Sequence, residues 1–257
     1  MIATRVGDLQ PVELDELTAR AALLTRVDRK YVLPLHELPA LLDALATHVR
    51  VLEIDRSRDF GYRSVYFDTP ELDSYLAAAR RRRRRFKVRI RSYVESDQRF
   101  AEVKTRGRRG STVKQRIPYE GWEDDLGDDA RAHADAVLAD AGIAAETLRL
   151  RLRPTLTTCY RRTTLFVPAT GGRVTIDTGL SWTLPDGATL RTPDRAIVET
   201  KSVRAASGAD RLLWSLGHRP CSVSKYATGL AALRPDLPAH RWLPALRRHF
   251  PTAAKER

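Results

Sequence analysis

Charged and apolar residues alternate strictly in residues 86–93, which read Phe-Lys-Val-Arg-Ile-Arg-Ser-Tyr. Because successive side chains of a β-strand point to opposite sides, the three cations share one face and Val88 and Ile90 share the other. Similar alternation recurs in residues 101–106, 113–117 and 197–201. Several strands with one charged face indicate a sheet curled around a polar interior. A cationic interior with a few carboxylates suits a polyanion that is itself chelated to a metal ion.

The chain is strongly basic. Its 257 residues include 45 Lys and Arg against 32 Asp and Glu, which gives a formal net charge of +13. This excess predicts attraction to anions but does not separate nucleic acid, acidic lipid and phosphate ligands. The length fits one large β-rich domain or two small ones. We predict a single domain over residues 1–257, in which an N-terminal helix and a basic C-terminal tail flank a core of residues 25–233.

Cysteine usage and hydropathy limit where the protein works. Cys159 and Cys221 lie far apart without CxxC spacing, which argues against a zinc site or a disulfide framework. No apolar run is long enough to span a bilayer, and the N-terminus lacks a signal-peptide core. We therefore expect a soluble, cytoplasmic protein.

The order of the expected elements is mixed α+β. Apolar spacing predicts helices over residues 11–24, 34–49, 71–79, 210–216 and 222–233, and a loop and helix within 122–140. Strand patterns cover residues 26–32, 62–68, 86–93, 99–106, 113–119, 155–167, 173–180 and 196–201. Turns are expected at 107–110 and at Gly171-Gly172, which predicts a hairpin.

The arginine-rich run at residues 80–85 allows two interpretations. It is either a solvated basic edge where a helix gives way to a strand, or a rim that attracts polyanions. The run has no interleaved aromatic residues and no RNP-like or helix-turn-helix context. Specific nucleic-acid binding is therefore not expected.

Several short motifs together resemble a known family. They are Tyr66-Phe67-Asp68-Thr69 with Leu72-Asp73, residues 87–93, Glu102-Val103-Lys104-Thr105, Ile176-Asp177-Thr178, Glu199-Thr200-Lys201 and Ser224-Lys225-Tyr226. In their order and spacing they resemble the VTC (vacuolar transporter chaperone) polyphosphate polymerase domain, a branch of the CYTH-like triphosphate tunnel metalloenzymes. The resemblance covers residues 25–233. It implies an eight-stranded antiparallel β-barrel tunnel that binds a triphosphate and a divalent cation.

The resemblance also implies roles for single residues. The expected catalytic cations are Arg89, Arg91, Lys104, Arg162 and Lys225. The expected substrate-binding residues are Lys30, Lys87, Lys114, Arg116, Tyr160, Arg173, Lys201 and Ser224. Glu199 resembles the metal-binding carboxylate, and the expected ion is Mn²⁺ or Mg²⁺. An ordinary surface ion pair is the alternative interpretation at each position. This alternative is least compatible with the sequence at Arg89, Arg91 and Lys104, where adjacent strands would crowd like charges.

The first strand departs from the wider superfamily. Where an ExExK pattern is common there, this chain has Arg-Val-Asp-Arg-Lys at residues 26–30. We therefore expect no carboxylate metal cluster on this strand, and we expect Asp28 and Glu102 to orient nearby cations. Fewer carboxylates favour a polymerase-like branch, in which phosphates supply much of the metal coordination, over a hydrolase-like branch.

These patterns predict a metal-dependent polyphosphate polymerase, which transfers the γ-phosphoryl group of ATP to a polyphosphate chain. Arg89, Arg91, Lys104 and Arg162 would hold the phosphates and Glu199 the metal. The alternatives are a tunnel triphosphatase and a non-catalytic polyphosphate- or RNA-binding module. The expected partners are ATP or another triphosphate, inorganic polyphosphate and a separate membrane protein to which this protein attaches peripherally. The sequence leaves the oligomeric state open.

Overall fold

The computed structural model describes residues 2–20, 27–106, 112–143, 152–202 and 206–250. The chain divides into two compact units. The first unit comprises Met1–Gly61, Tyr160–Leu180 and Thr192–Val223. The second unit comprises Tyr62–Cys159, Ser181–Arg191 and Ser224–Arg257. The single-domain organisation stays a prediction.

The described residues form eight α-helices and eleven β-strands. The helices are α1 Ile2–Gly7, α2 Leu14–Arg20, α3 Leu38–Leu45, α4 Asp73–Ala79, α5 Asp128–Asp140, α6 Gly208–Ser215, α7 Lys225–Leu233 and α8 Leu243–His249. The strands are β1 Pro11–Val12, β2 Val27–Pro34, β3 Arg50–Leu52, β4 Phe60–Asp68, β5 Phe86–Tyr93, β6 Gln98–Arg106, β7 Thr112–Pro118, β8 Arg153–Val167, β9 Gly172–Thr183, β10 Thr189–Thr192 and β11 Arg195–Ser202. Two 3₁₀ turns, Leu35–Glu37 and Ala46–His48, flank α3. The chain passes from the second unit into the first within β8 and back within β9.

A four-strand group in the order β2-β11-β9-β8 organises the first unit. Helix α3 presents Leu38, Leu41, Leu42 and Leu45 at helical spacing, and all four are buried in the core. The strands contribute alternate residues such as Tyr31 and Leu33 of β2 to the same core, because the period of a strand is two. The intervening residues of β2, β9 and β11 consequently face the other side of the sheet.

A buried carboxylate also ties the first unit together. Asp210 accepts hydrogen bonds from the hydroxyls of Tyr31 at 2.7 Å and Thr200 at 2.5 Å. It also accepts from the backbone N–H of Ser207 at 2.7 Å, which completes a capping box at the start of α6. Helix α6 is thereby fixed to β2 and β11.

The second unit contains the antiparallel group β4-β5-β6-β7. Phe86, Val88 and Ile90 on one face of β5 are buried in a core that Ala134 and Leu138 of α5 share. Because β5 alternates, its cations face away from α5. The register of β4, β5, β6 and β7 then determines which ionic side chains become neighbours.

Helix α4 of the second unit begins over a buried carboxylate. Asp68 accepts hydrogen bonds from the backbone N–H groups of Thr69 at 2.8 Å, Ser74 at 2.9 Å and Tyr75 at 2.9 Å. The hydroxyl of Tyr226 also donates to it at 2.5 Å. Burial raises the pKa of Asp68, and these donors oppose that effect. The Tyr-Phe-Asp-Thr motif is therefore a structural junction between β4, α4 and α7.

Helix α7 packs closely against Trp182, which is fully buried. The indole Nε1 donates to the carbonyl of Lys225 at 2.7 Å. A Cβ atom at Gly229 would lie 2.1 Å from Trp182 Cδ1, so only glycine fits at this point of the helix. The contact sets the position of the start of α7, where Ser224 lies.

The expected α+β class, with an antiparallel sheet and flanking helices, is confirmed. The expected barrel is not closed over the described residues, because the hydrogen-bonded strand order runs from β2 to β7 without pairing these two strands. The expected number of eight strands is too low, because β1, β3 and β10 are only two to four residues long and too short to show a period. The helix expected over residues 11–24 begins later, since residues 11–12 pair with β3 as a parallel strand. The predicted hairpin at Gly171-Gly172 is present between β8 and β9, and Gly171 has a φ of 64°. The turn at 107–110 and residues 21–26 lie outside the described residues.

Among the described residues, no helix is both long enough and apolar enough to cross a membrane.

Candidate functional site

A row of three lysines crosses the second unit. Lys87, Lys104 and Lys114 occupy directly opposed positions on β5, β6 and β7. Opposed residues lie about 5 Å apart at Cβ, and like charges at that separation destabilise a sheet. Lys87 donates to the Ser224 hydroxyl at 2.9 Å, and Lys114 pairs with Glu102 at 2.5 Å. An anion that spans this row would offset the mutual repulsion of its ammonium groups.

A second row of the same face centres on one carboxylate. Arg89 is opposed by Tyr66 on β4 and by Glu102 on β6, and Glu102 is opposed in turn by Arg116 on β7. The Arg89 guanidinium donates to Glu102 Oε2 from Nε at 2.8 Å and also from Nη2, and it donates to the Tyr66 hydroxyl at 3.0 Å. These contacts hold the guanidinium in one orientation. Arg116 stacks over the Phe100 ring at 4.5 Å.

Glu102 is the carboxylate that these cations share, and its side chain is 2% exposed. Burial alone would raise its pKa, but the charges of Arg89, Arg91 and Lys114 hold that pKa well below the usual value. The pKa of Lys114 is also lowered, but here burial is the main cause. Although 40% of its side chain is exposed, burial of the ammonium group lowers the Lys114 pKa to about 8 against the attraction of Glu102. One permanent negative charge therefore faces a larger number of cations.

Arg91 lies on the neighbouring row, opposite Ser64 and Phe100. It is 8% exposed, and its guanidinium lies over the Tyr62 ring at 5.3 Å. A guanidinium buried this deeply is stabilised by anions or aromatic faces nearby. The structure thus brings together Lys87, Arg89, Arg91, Lys104, Lys114 and Arg116 on one face, which we call the cationic face. All six are residues that the sequence predicts for the site.

Ser224 and Lys225 begin helix α7 in the second unit. The Ser224 hydroxyl accepts from the Ala227 N–H at 3.2 Å and so caps the helix, while Lys87 donates to the same oxygen. Lys225 is partly buried at the first helical position. Ser224 is therefore adjacent to the lysine row.

The first unit has an ionic face of its own. Lys30 of β2, Glu199 of β11 and Thr175 of β9 form one row, and Lys201 lies in the next, between Asp28 and Arg173. Glu199 Oε1 lies 3.5 Å from Lys30 Nζ and 3.3 Å from Lys201 Nζ. We call this the paired face, because its cations and carboxylates lie next to each other.

Two further residues complete the paired face. Arg162 makes a bidentate contact with Asp177, with distances of 2.6 Å and 2.8 Å, and its guanidinium lies over the Tyr160 ring at 5.3 Å. Asp177 is fully buried and is a partner that we did not assign from the sequence. The Gly171-Gly172 hairpin is the sequence feature that could have predicted this contact, because it fixes the register of β8 against β9.

Lys201 is the most strongly perturbed cation of the paired face. Burial lowers its pKa to about 8, and the nearby charges of Arg162 and Lys30 act in the same direction, while Glu199 and Asp28 oppose them. A lysine with this pKa changes its charge within the range in which enzymes work. Its ability to hold a phosphate therefore depends on pH.

The donor set gives a poor fit to a resident metal ion. Over the ranges that the structure describes, no group of three or more His, Cys, Asp and Glu side chains could hold a metal ion. Glu199 is one carboxylate with two ammonium groups within 3.5 Å. A divalent cation here would take most of its oxygen ligands from phosphates and water, as Mg²⁺ often does.

Comparison with known proteins places the chain in a family. A family model described as the VTC domain matches residues 25–234. No curated protein sequence matches the chain. The resemblance deduced from the sequence motifs is confirmed by the family match.

Solved structures similar to this chain share little sequence identity with it, and one of them supports the same fold. A candidate adenylate cyclase from Bacillus halodurans is 15% identical with a TM-score of 0.51, and the match covers 78% of this chain and 94% of that one. A protein from Pyrococcus horikoshii OT3 is 13% identical with a TM-score of 0.46 over 82% and 98% of the two chains. A candidate adenylyl cyclase from Hippeastrum, described as having a dominant triphosphatase activity, is 16% identical with a TM-score of 0.41 over 80% and 95%. The last two scores are too low to support an inference.

Proposed function

This chain belongs to the VTC domain family, and from that premise we propose that it is a polyphosphate polymerase that uses ATP. The observation that supports the proposal is the cationic face of the second unit. Its lysine row and two fixed arginines surround a single carboxylate, Glu102. Such an excess of fixed donors suits a ligand with several adjacent phosphates.

Phosphoryl transfer needs positioning more than covalent chemistry from the protein. A terminal oxygen of the acceptor polyphosphate forms a bond to the γ-phosphorus of ATP, the bond from that phosphorus to the β–γ bridging oxygen breaks, and ADP leaves. Negative charge spreads over the transferred group during this exchange. Cations already held in place stabilise that charge without further reorganisation. No nucleophilic side chain is required.

The residues divide these tasks by their geometry. We assign Arg89, whose orientation Glu102 and Tyr66 fix, and Arg91 to the phosphoryl oxygens of the nucleotide. Lys104 supplies an exposed ammonium at the centre of the lysine row. On the paired face, we assign Arg162 and Lys201 to phosphate binding. A divalent cation enters as the partner of the nucleotide, whose charge it partly neutralises.

The state of the carboxylates favours a polymerase over a hydrolase. A hydrolase must activate water, for which a carboxylate with a raised pKa serves as a general base. Glu102 has a lowered pKa and accepts from Arg89 and Lys114, so it is a poor base. A polyphosphate terminus is already an anion and needs no such activation.

Synthesis of polymer from ATP tests the proposal. Purified protein is incubated with ATP and either Mn²⁺ or Mg²⁺, and the products are separated on a gel stained for polyphosphate while ADP is measured. We expect ADP and polymer phosphate to appear in equal amounts. Orthophosphate release without polymer would instead identify a triphosphatase, and binding without turnover would identify a binding module. The control R153Q/R191Q, which changes two exposed arginines of the same unit, should still make polymer.

A second test asks whether Glu199 contacts the cation of the nucleotide. Glu199→Gln keeps the size of the side chain and removes its charge. If the carboxylate contacts that cation, the Mn²⁺ concentration for half-maximal activity rises. An unchanged metal dependence would show that Glu199 does not contact the cation and serves only in its ion pairs with Lys30 and Lys201.

A further inference from the structure

The second unit contains an arginine-lined cleft apart from the cationic face. Its volume is about 670 Å³, and it lies beside the C-terminal end of α5. Thr105 and Val113, which oppose each other on β6 and β7, line it. They alternate with Lys104 and Lys114, so the cleft opens on the opposite side of the sheet from the lysine row.

Four arginines and one aspartate are among the residues that line this cleft. The cations are Arg82, Arg83, Arg84 and Arg106, and the carboxylate is Asp140. The backbone N–H of Arg106 donates to the carbonyl of Arg85 at 3.1 Å, which fixes the arginine run against the end of β6. The run is therefore gathered into a concave surface.

The surrounding surface adds to this charge. Burial, together with the nearby charges of Arg81 and Arg106, holds the pKa of Arg241 below its usual value. Arg81 has a φ of 54°, a left-handed conformation that favours glycine, and it directly follows the last turn of α4. The chain thus keeps an arginine at an unfavourable backbone position next to other arginines. Binding of an anion would relieve the repulsion among them.

We propose that this cleft is a second binding site for inorganic polyphosphate, separate from the cationic face. The identity of the polyanion rests on the proposed function, while the existence of an anion site rests on the arginines. Apolar lining comes from Val113, Val137 and Ala141, and the described lining contains no aromatic side chain on which a base could stack. That composition favours a chain of phosphates over single-stranded RNA.

Polyphosphate binding without ATP or metal tests the site. The variant R82Q/R83Q/R106Q is compared with R153Q/R191Q/R247Q, which removes three exposed arginines elsewhere on the same unit. Long-chain polyphosphate is titrated into each at several salt concentrations. We expect the cleft variant to bind at least tenfold more weakly at low salt, because about three phosphate contacts are lost. The slope of log Kd against log salt should fall by about 2.

Two further measurements separate this proposal from the proposed function. The affinity for ATP should be unchanged in the cleft variant, which also shows that it has folded. Arginine-dependent polyphosphate binding should persist when Arg89→Ala and Arg91→Ala are present, whether or not the protein synthesises polymer. Equal polyphosphate binding by the cleft variant and its control would overturn the site. Tighter binding of poly(U) with the same dependence on these arginines would overturn the choice of ligand.

Discussion

The cationic face of the second unit and the paired face of the first unit arise from the same sequence pattern, yet they compensate charge differently. The paired face sets Lys30, Arg162, Arg173 and Lys201 against Asp28, Asp177 and Glu199. The cationic face sets Lys87, Arg89, Arg91, Lys104, Lys114 and Arg116 against Glu102. Alternation therefore establishes which side chains share a face, but the balance of charge on that face determines what it can bind.

This difference suggests a division of work. A face whose ions are already matched gains little from an external anion, because each new contact competes with an existing ion pair. A face with excess cations is destabilised by their repulsion until an anion arrives. We therefore expect binding energy to come mainly from the second unit, and the variants below test that expectation.

Loss of both fixed arginines should have the largest effect. R89A/R91A removes two charge-assisted contacts of about 1.5–3 kcal/mol each, so triphosphate affinity should fall by at least about 100-fold. Polymer synthesis should be lost with it. Isothermal titration with ATP measures the affinity, and circular dichroism checks that the fold is kept. If the variant bound ATP as tightly as the unmodified protein does, the cationic face would not be part of the ATP site.

Removal of one carboxylate from each face should affect stability unequally. Glu102→Gln leaves buried cations uncompensated and should lower the free energy of unfolding by about 3 kcal/mol. Glu199→Gln, at a position where the side chain is 14% exposed, should cost about 1 kcal/mol. Denaturant titrations with and without tripolyphosphate measure both changes. Tripolyphosphate should restore the stability of E102Q more than that of E199Q. Equal recovery of stability would contradict the proposed difference between the two faces.

Raising the pH from 7 to 9 should weaken triphosphate binding. Lys114 and Lys201 each have a pKa lowered to about 8, so both lose their charge in this range, and each lost contact weakens affinity by about tenfold at most. Stability of the ligand-free protein should change in the opposite sense. Between pH 8 and the ordinary lysine pKa of 10.5, the unfolded chain binds more protons than the folded one, so the free energy of unfolding rises with pH.

Single-lysine variants assign this pH dependence. Lys114→Gln should flatten the pH profile of binding more than Lys201→Gln does, because Lys114 belongs to the cationic face. Titrations at several pH values provide the measurement. If only K201Q flattened the pH profile of binding, the main phosphate contacts would have to be assigned to the first unit.

The smallest effects should differ in sign. Lys104→Gln relieves repulsion from Lys87 and Lys114 and should raise the free energy of unfolding by about 0.2–1 kcal/mol. Lys30→Gln removes a partner of Glu199 and should lower it by a similar amount. Thermal unfolding at low and high salt resolves both, since screening should reduce each difference. Changes of the same sign would mean that the two faces are compensated alike.

Local patterns were sufficient to predict much of this arrangement. The period of two placed Lys87, Arg89 and Arg91 on one face, and it also aligned Lys30 with the ionic side of β2. The family resemblance added Ser224, which the structure places on Lys87. These features depend on neighbouring residues or on short connections between strands.

Other features depend on contacts that no local pattern encodes. The partnership of Arg162 with Asp177 requires the register across a hairpin, and the contact of Arg89 with Tyr66 requires the pairing of β4 with β5. The arginine cleft combines the run before β5 with Arg106 and the end of α5. The sequence showed the run but not the concave surface that it helps to form.

The fit of Gly229 against Trp182 has a genetic consequence. Any larger residue at 229 must displace either a buried indole or the helix that carries Ser224, the partner of Lys87. A missense change there would leave every charged residue of the proposed site in the sequence, and we expect it to weaken phosphate binding all the same. A substitution that abolishes activity can therefore lie at an uncharged, buried position, which a search limited to charged residues would not identify.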